Sequence, residues 1–502
     1  MKICIMGQGY IGLPTAALFA KNGCEVIGVD INPEMVANLN KGKVHIEEPG
    51  IVEAIQSAVQ AGHYHASLSP EEADAFIITV PTPYIKENLS CDLSYVVTAC
   101  QSIIPFIKKE NVIIIESTMA PMSTDEVIKP IFEEAGFTIG EDLFLAHCPE
   151  RVLPGQIMQE LVNNNRIVGG ITTECSEKAA NVYGTFVKGE IIKTEAKTAE
   201  LSKCMENTFR DVNIALANEL AKIGAEIGVN ALDVIKMANK HPRVNLHSPG
   251  PGVGGHCLAI DPYFIYAKAP EVAKIIKLAR DTNNSMPGFV VEKTAKILEK
   301  YDKEASKIAI LGVAYKGNTD DDRESPAYEI ITGLKSAGYK IAICDPHIEN
   351  PDFYSLEEAT KDASIAIILS DHNQFKEMDY NILLNNMKTP ILFDTKNITE
   401  KENLPKEGGA LICPNHVSNL DAATMIAMTK RPIRVLAKED LFKNKFFKFI
   451  ANTFGLYPIK RGKADLQAIK ISLKLLKEEE SDTESFGFFG LEKNSITKVK
   501  LK

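Results

Sequence analysis

The 502-residue sequence has no tryptophan, no CxxC pair and no apolar run near the roughly 20 residues that a membrane helix needs. The missing run argues against an integral membrane segment. Ten cysteines are scattered without paired spacing, so neither a disulfide framework nor a metal site is expected. Strand-forming residues begin directly after Met1, so no signal peptide is expected. We therefore expect a cytoplasmic protein with reduced thiols.

A surplus of positive charge is also missing. Lys and Arg number 56 against 66 Asp and Glu, which gives a net charge of −10. A general nucleic-acid binder would need Lys and Arg clustered on one face, so no nucleic-acid partner is expected. The length exceeds what one hydrophobic core holds and predicts three or four domains.

A glycine-rich loop stands near the start of the chain, as Gly7-x-Gly9-x-x-Gly12 between a predicted strand and a predicted helix. A second strand then ends at Asp30. In this order the glycines allow a tight turn and close approach to a pyrophosphate, and the helix N-terminus favours phosphate charge. Asp30 would accept from ribose hydroxyls and repel a 2′-phosphate, which predicts NAD rather than NADP. A glycine turn without a ligand, or an FAD site, is the alternative.

Strands and helices alternate through the first part of the chain, which predicts a parallel, doubly wound sheet up to about residue 185. A helical pattern without proline then runs from Glu195 to Gly228, about 50 Å at 1.5 Å per residue. So long a helix is expected to connect domains and to supply a dimer face. The predicted strands are Lys2–Met6, Glu25–Val29, Ala75–Val80, Val112–Ser117 and Leu143–His147, and the first predicted helix is Leu13–Lys21.

The sequence of residues 307–346 repeats the pattern of the N-terminus. Lys-Ile-Ala-Ile-Leu-Gly312 parallels Lys-Ile-Cys-Ile-Met-Gly7, and a later strand ends at Asp345 as the early one ends at Asp30. The glycine fingerprint is reduced to Gly312 and Gly317. We expect a second Rossmann-like domain that holds a nucleotide but not a dinucleotide pyrophosphate in the usual way.

Cys257 ends the segment Pro-Gly-Pro-Gly-Val-Gly-Gly-His-Cys, and Asp261 follows four residues later. Backbone N–H groups of such a segment can close on whatever the sulfur attacks. Glycines at 252, 254 and 255 cost folding entropy and imply close approach of a ligand or unusual dihedral angles. A thiol becomes nucleophilic when its pKa is lowered, which His256 or a nearby lysine could do. The alternative is a small core cysteine.

Lys203 and Asn207 lie one helical turn apart, with Arg210 near the same face. An ammonium and an amide aimed at one point form an oxyanion clamp, although a solvated face is the alternative. Glu150 and Arg151 follow a predicted strand, where the binding loops of such sheets lie. Their alternative is a surface ion pair.

Residues 1 to about 398 resemble the UDP-glucose/GDP-mannose dehydrogenase family, nucleotide-sugar dehydrogenases that oxidise a C6 alcohol to a carboxylate with two NAD. The resemblance rests on several specific motifs in the right order. The motifs are GQGYIGLP from Gly7, VPTP from Val80, EST from Glu116, CPERVLPG from Cys148, KCMENTFRD from Lys203, HPRVN from His241, PGPGVGGHC ending at Cys257 and DDRESPA containing Arg323.

The resemblance implies roles for individual residues, with Cys257 as the nucleophile and Lys203 and Asn207 as oxyanion stabilisers. The residues implied to assist hydride transfer or thioester hydrolysis are Glu150, Thr118 and Asp261. The implied NAD contacts are Gly7, Gly9, Tyr10, Ile11, Gly12, Asp30, Thr82, Thr118 and Arg323. The implied UDP-sugar contacts are Arg151, Val152, Lys203, Asn207, Arg210, His241, Arg243, Gly254, Tyr315 and Lys316.

The implied reaction is a four-electron oxidation through a thioester on Cys257. Its expected substrate is a UDP-N-acetylhexosamine, first UDP-N-acetyl-D-mannosamine and alternatively UDP-N-acetyl-D-glucosamine, and a homodimer or larger homo-oligomer is expected. Met35 departs from the family pattern, since relatives often place a basic residue there, which implies slightly weaker NAD binding. A non-catalytic nucleotide-sugar sensor is a rival interpretation that the intact Cys257 and Lys203 argue against.

Beyond about residue 398 the chain resembles a different family. His416 and Asp421 form a His-x4-Asp arrangement that suits a general base. Residues 399–480 resemble the first half of a 1-acyl-glycerol-3-phosphate acyltransferase domain, but its Phe-Pro-Glu-Gly-Thr-Arg block is missing. We therefore expect an inert segment and not a lipid-metabolic enzyme.

The expected fold class is α/β, with two Rossmann-like doubly wound domains joined by a long central helix and followed by a partial acyltransferase-like segment. The expected boundaries are an NAD-binding domain at 1–185, a central helical dimerisation and catalytic region at 186–300, a UDP-sugar-binding domain at 301–398 and the truncated segment at 399–502.

Overall fold

The computed structural model describes residues 1–153 and 155–399, together with the backbone of four short strands further along the chain. The expected α/β class with two Rossmann-like sheets is confirmed. The first compact unit comprises Met1–Arg210 and Ile260–Lys277, and the second comprises Asp211–Ala259 and the chain from Leu278 onward. Among the described helices, none combines the length and the apolar character that crossing a membrane requires.

The first unit is built on an eight-stranded sheet. Its strands are β1 (Lys2–Met6), β2 (Glu25–Val29), β3 (Tyr64–Ser67), β4 (Ala75–Ile78), β7 (Asn111–Ile115), β8 (Leu143–His147), β9 (Arg166–Gly170) and β10 (Ile191–Glu195), with a separate hairpin of β5 (Tyr84–Ile85) and β6 (Ser90–Cys91). Their order across the sheet is β10-β9-β8-β7-β4-β1-β2-β3. The helices of this part of the chain are α1 (Gly12–Lys21), α2 (Pro33–Leu39), α3 (Ile51–Gln60), α4 (Ser94–Ile103), α5 (Lys129–Glu134), α6 (Ile157–Asn163) and α7 (Thr173–Tyr183), with a 3-10 turn at Ile104–Phe106 and a π-helical turn at Thr124–Ile128.

Both faces of this sheet are covered, because successive side chains of a strand point to opposite sides and both sides are apolar. In β1, Ile3 and Ile5 join one buried cluster, while Cys4 and Met6 join the other. The strand ends that carry the predicted cofactor loops therefore meet at one carboxyl edge of a buried parallel sheet.

The sheet differs from the expected one in two respects. Strands β8 and β9 are antiparallel, with His147 opposite Gly169, and β9 and β10 extend the sheet to Glu195 rather than ending near residue 185. The chain returns from β8 to β9 through the short helix α6 without crossing over the sheet. The β9 sequence ends in two glycines, which are weak strand formers, so the local pattern gave little strand signal.

A 32-residue helix, α8 (Ala196–Ile227), follows the first sheet, within one residue at each end of the predicted helix. The division between the compact units falls within this helix. Five of its polar residues are buried, namely Glu200, Asn207, Thr208, Asp211 and Asn218. After it come α9 (Ala231–Ala238), α10 (Asp261–Lys268), α11 (Lys274–Asn284) and α12 (Met286–Tyr301).

The second sheet repeats the parallel arrangement, with buried clusters on both faces. It contains β11 (Lys307–Leu311), β12 (Lys340–Cys344), β13 (Ile365–Ile368), β14 (Ile391–Asp394), β15 (Leu411–Cys413) and β18 (Thr497–Lys500) in the order β12-β11-β13-β14-β18-β15, and β16 (Val435–Lys438) pairs with β17 (Leu456–Ile459). The helices are α13 (Pro326–Ser336), α14 (Leu356–Thr360), α15 (Asn373–Glu377) and α16 (Asn381–Asn386).

Candidate active site

The glycine loop after β1 is tightly packed at Gly7 and Gly12 and open at Gly9. Gly7 has a φ of +94°, and a Cβ at Gly12 would lie 1.9 Å from the Gly7 carbonyl oxygen and 2.5 Å from Thr79 Oγ1. At Gly9, by contrast, no described atom lies within 4 Å of the place a Cβ would take. The loop thus leaves open space at the position where a pyrophosphate must approach the backbone.

Asp30 ends β2 beside this loop. Its carboxylate accepts from the backbone N–H of Gln8 at 3.0 Å and from that of Asn32 at 3.0 Å, which fixes the side chain at the strand end. Met35 is half-buried against the apolar core of this unit, so the departure from the family pattern has a packing role. The residues present fit an NAD molecule whose ribose meets a carboxylate.

Two other predicted NAD contacts lie on neighbouring strand ends. Thr82 Oγ1 donates to the carbonyl oxygen of Thr118 at 2.7 Å, joining the loops that follow β4 and β7. Tyr10 lies in the glycine loop with 47% of its surface exposed. The first unit therefore brings these residues to the edge of the sheet where ligands of doubly wound folds bind.

Asn207 and Asp261 are paired in the first unit. Asn207 Nδ2 donates to Asp261 Oδ2 at 2.6 Å, and both residues are buried. Burial raises the pKa of Asp261 to about 6, opposed by the charge of nearby Lys203 and by the Asn207 hydrogen bond. A carboxyl group that titrates near 6 is suited to act as a general base near neutral pH. Arg210, from the same predicted face of α8, is exposed.

Glu150 and Arg151 do not form the surface ion pair that was the alternative interpretation. Glu150 Oε2 accepts from Arg166 Nη1 at 2.8 Å, while Arg151 Nη1 donates to Glu206 at 2.7 Å. Arg166 is 5% exposed and also binds the buried carboxylate of Glu116. Burial raises the pKa of Glu116 to about 7. Arg166 was missed by the sequence analysis, and the only signal for it was a charged residue in an apolar strand.

His147 ends β8 and is fully buried, and neither ring nitrogen has a hydrogen-bond partner among the described residues. Burial, together with the charge of Lys203, lowers the pKa of His147 to about 3. The imidazole is therefore neutral at physiological pH. A buried polar group without a partner is uncommon and costs stability.

In the second unit, Cys257 is exposed at the end of its glycine-rich segment. A Cβ at Gly254 would lie 2.7 Å from the Glu324 carbonyl oxygen, and one at Gly255 would lie 2.8 Å from the Tyr315 ring. Gly255 also has a φ of +77°. Close packing of this segment on the chain around Tyr315 and Glu324, together with the unusual dihedral angle of Gly255, requires glycine at these two positions.

His256 does not supply the positive charge suggested for thiol activation. Partial burial and the charge of Arg323 lower the pKa of His256, which leaves its imidazole neutral. Arg323 forms a double ion pair with Asp321, at 2.8 and 2.6 Å. Other predicted substrate contacts of this unit are exposed, namely His241, Arg243 and Lys316. Cys257 belongs to the second unit, while Lys203, Asn207 and Asp261 belong to the first. His416 and Asp421 lie outside the described residues.

The parallel sheet, the open glycine loop and the carboxylate at the end of β2 define the class of protein, an NAD-binding dehydrogenase of the Rossmann type. Three family models of the UDP-glucose/GDP-mannose dehydrogenase family match the chain in succession. The NAD binding domain matches residues 1–187, the central domain 197–285 and the UDP binding domain 309–401. A further model, of the acyltransferases, matches residues 396–488.

Individual relatives agree with these matches. The chain is 47% identical over 416 residues to a UDP-N-acetyl-D-mannosamine dehydrogenase of Methanococcus maripaludis, covering 81% of this chain and 95% of the relative. It is 46% identical over 395 residues to the enzyme of that name from Campylobacter jejuni, covering 75% and 97%. The solved UDP-N-acetyl-mannosamine dehydrogenase from Staphylococcus aureus superposes with a TM-score of 0.74 at 51% identity, covering 80% and 96%.

The chain therefore belongs to the UDP-glucose/GDP-mannose dehydrogenase family, and the predicted family is confirmed. The prediction of an NAD-dependent oxidoreductase is confirmed with it. The roles of individual site residues stay predictions.

Proposed function

We propose that this protein oxidises the C6 alcohol of UDP-N-acetyl-D-mannosamine to the uronate with two NAD. The proposal of this substrate rests on two relatives, 46% and 47% identical over most of their length, that are named UDP-N-acetyl-D-mannosamine dehydrogenase. UDP-N-acetyl-D-glucosamine is the alternative substrate, because it differs from UDP-N-acetyl-D-mannosamine only in the configuration at C2 and carries the same C6 alcohol.

The reaction divides into two oxidations separated by covalent capture. NAD, when bound, supplies the hydride acceptor for each oxidation. Asp261 takes the proton of the C6 hydroxyl as the aldehyde forms. Cys257 adds to the aldehyde as a thiohemiacetal and retains it until the second oxidation, with loss of a proton, leaves a thioester.

The remaining residues stabilise charge and complete the hydrolysis. Lys203 and Asn207 stabilise the oxyanions that develop at C6. Water then attacks the thioester, with Glu150 and Thr118 assisting, which releases the carboxylate and returns the Cys257 thiol. The buried Asn207–Asp261 hydrogen bond supports these assignments because it holds the base in one orientation.

The same proposal includes a homodimer and a reducing compartment, the cytoplasm. Helix α8 carries large apolar side chains that are 42–66% exposed along most of its length, and such a stripe suits a partner helix. The side chains are Leu201, Met205, Phe209, Leu216, Ile223 and Ile227. No disulfide joins the nine cysteines within the described part of the chain, which supports a reducing compartment.

The test is a substrate series followed by stoichiometry. Purified protein with NAD is incubated with UDP-N-acetyl-D-mannosamine, UDP-N-acetyl-D-glucosamine and UDP-glucose, and NADH and uronate are both measured. We expect turnover with the first substrate and two NADH per uronate. Cys257→Ser should stop turnover, whereas Cys344→Ser, a buried thiol of the same unit, should not. One NADH per sugar with free aldehyde would overturn the thioester mechanism.

A further inference from the structure

Three asparagines of the second unit bind the backbone of the segment that leads to Cys257. Asn213 donates to the Asn245 carbonyl oxygen at 2.7 Å and accepts from the His247 N–H at 2.9 Å. Asn239 makes the same pair of bonds to Leu246, at 2.9 and 2.8 Å. Because the amides bind main-chain groups, they fix the path of the segment whatever its side chains are.

The third asparagine, Asn218, is fully buried and holds the start of the glycine-rich stretch. Its Oδ1 accepts from the Gly250 N–H at 2.9 Å, and its Nδ2 donates to Asn283 Oδ1 at 2.8 Å. Asn283 Nδ2 in turn donates to Asp211 Oδ1 at 2.7 Å, and Arg280 Nη1 donates to the same oxygen at 2.5 Å. These four side chains are at most 2% exposed.

A line of hydrogen bonds thus runs from the Gly250 N–H through Asn218 and Asn283 to Asp211, and the groups at its two ends determine which atom donates in each bond. The Gly250 N–H can only donate, and Asp211 Oδ1, which also accepts from the Arg280 guanidinium, serves only as an acceptor. Asn218 and Asn283 must therefore each turn their oxygen toward Gly250 and their nitrogen toward Asp211. A buried network with a single allowed direction holds its members in one arrangement, which an apolar contact of the same volume would not do.

The far side of the same stretch is also fixed. The Gly255 N–H donates to the Arg323 carbonyl oxygen at 3.1 Å, and Gly254 and Gly255 have no room for a Cβ against Tyr315 and Glu324. The segment from Gly250 to Gly255 is therefore anchored at both ends, and the exposed thiol lies two residues beyond the second anchor. Without the anchor at Gly250, the segment is held at one end only, and the backbone that carries the thiol is less firmly placed.

We propose that Asn218 is a positioning residue for the Cys257 nucleophile, acting through the Gly250 N–H. The inference rests on the proposed role of Cys257. Leucine and aspartate are close to asparagine in size and shape, but neither can make both hydrogen bonds of the Asn218 side chain. Leucine leaves the Gly250 N–H and Asn283 Oδ1 unpaired, and aspartate accepts from Gly250 but cannot donate to Asn283.

The test compares Asn218→Leu and Asn218→Asp with Thr294→Val. Thr294 is equally buried in the same unit, but its hydroxyl bonds only within α12, to the Val290 carbonyl oxygen, so it controls for lost stability alone. Two readouts are taken: kcat and KM for NAD, and the rate at which iodoacetamide alkylates Cys257 without substrate or cofactor.

We expect Asn218→Leu to lower kcat by roughly 30-fold with KM for NAD within about twofold, since small displacements of a reacting group can cost about 10²-fold. Its alkylation rate should change by at least about threefold, because thiol reactivity follows local surroundings. Asn218→Asp keeps an acceptor for the Gly250 N–H, so its kcat and its alkylation rate should both lie between those of Asn218→Leu and the wild type. Thr294→Val should change neither.

An Asn218→Leu protein that loses stability like Thr294→Val but keeps the wild-type alkylation rate would overturn the inference. If the leucine variant does not fold, an Asn218→Asp protein that loses stability but keeps the wild-type alkylation rate would overturn the inference instead. Because alkylation needs no turnover, the result is separate from the proposed function, which fails instead if the wild-type protein reduces no NAD with any of the sugars tested.

Discussion

The two Rossmann-like sheets carry the same strand–loop–strand–acid pattern but use the acid differently. In the first unit, Asp30 accepts from one amide of the glycine loop, that of Gln8. In the second, Asp345 accepts from two loop amides, those of Val313 and Ala314, at 2.7 and 3.1 Å. The carboxylate of Asp345, at the end of β12, therefore faces the backbone of the glycine loop that follows β11.

Two more side chains bind the second loop from its own domain. The Gly317 N–H donates to Asp371 at 3.1 Å, and the Asn318 N–H donates to His372 Nδ1 at 2.9 Å. His372 Nε2 also lies 3.2 Å from Asp345. The amides that would otherwise meet a pyrophosphate are thus bonded to carboxylate and imidazole groups.

The comparison shows how one fold gives a dinucleotide site in one place and a closed structural loop in the other. Ala314 stands where the first loop has Gly9, which removes the close approach, and the loop N–H groups are satisfied internally because buried donors need partners. The expectation that the second domain does not hold a dinucleotide in the usual way follows from these bonds.

The largest effect is expected in the first glycine loop. Gly12→Ala places a Cβ 1.9 Å from a backbone oxygen, so the loop must move, and NAD affinity should fall by more than about 100-fold. Gly9→Ala meets no described atom within 4 Å and should fold with an unchanged melting temperature, yet it should also weaken NAD binding because the methyl group occupies the pyrophosphate position.

Calorimetric titration with NAD and a thermal melt separate the two variants. Gly317→Ala is the matched change in the second loop, where a Cβ would lie 2.4 Å from the Asp371 carbonyl oxygen. It should lower the melting temperature and leave NAD affinity unchanged. Gly9→Ala with wild-type NAD affinity would refute the assignment of the first loop.

Asp345 is expected to contribute mainly to stability, and Asp30 mainly to the preference for NAD over NADP. Asp345→Asn turns an acceptor into a donor facing backbone N–H groups and should cost about 2–4 kcal/mol of unfolding free energy. Asp30→Asn should cost less than about 1 kcal/mol but should narrow the preference for NAD over NADP, which we expect to be at least about tenfold in the wild type. Urea denaturation and kcat/KM for both cofactors measure these effects.

The pH dependence of stability gives a second test of Asp345. Hydrogen bonds from His372 and backbone N–H groups hold its pKa at about 2, below the ordinary 3.8, despite burial. Because the folded pKa is the lower one, the stabilisation is complete above about pH 4 and is lost as pH falls toward 2, about 2 kcal/mol in all. Asp345→Asn should flatten this part of the curve, and an unchanged acid limb would contradict the assignment.

Two buried imidazoles sharpen the comparison further. His372→Phe leaves the Asn318 N–H without its acceptor and should cost about 2 kcal/mol. His147→Phe removes two nitrogens that have no partner in the described structure, so it should be neutral or stabilising by up to about 1 kcal/mol. Equal destabilisation of both variants in urea would mean that the nitrogens of His147 are in fact satisfied.

The sequence predicted those features whose signal is local. The glycine loop, β8 and the long helix α8 each depend on short-range pattern, and α8 was placed within one residue at both ends. The pairing of Glu150 was not predictable in this way. The motif puts Arg151 next to it, but the antiparallel strand β9 brings Arg166, sixteen positions away, to its carboxylate.

The glycines before Cys257 show the same limit. Their number indicates that something must approach the backbone closely, but only the fold shows that it is the chain around Tyr315. The buried amides of Asn218 and Asn283 gave no sequence signal, since asparagine in a helix is more often a surface residue. Long-range packing decides which polar residues of a helix are internal.

The smallest effect on catalysis is expected from deleting residues 402–502. Every predicted dehydrogenase site residue lies before Glu324, so kcat/KM should stay within about twofold of the full-length value. The second sheet loses β15 and β18. Because β18 pairs in parallel with the buried strand β14, the newly exposed edge of β14 should lower the unfolding free energy by about 1 kcal/mol. A shorter deletion of 495–502, which removes β18 alone, is the matched control and should lower stability as much. If either deletion abolishes activity while the full-length protein is active, the C-terminal segment is required for the second domain and the prediction of an inert tail is wrong.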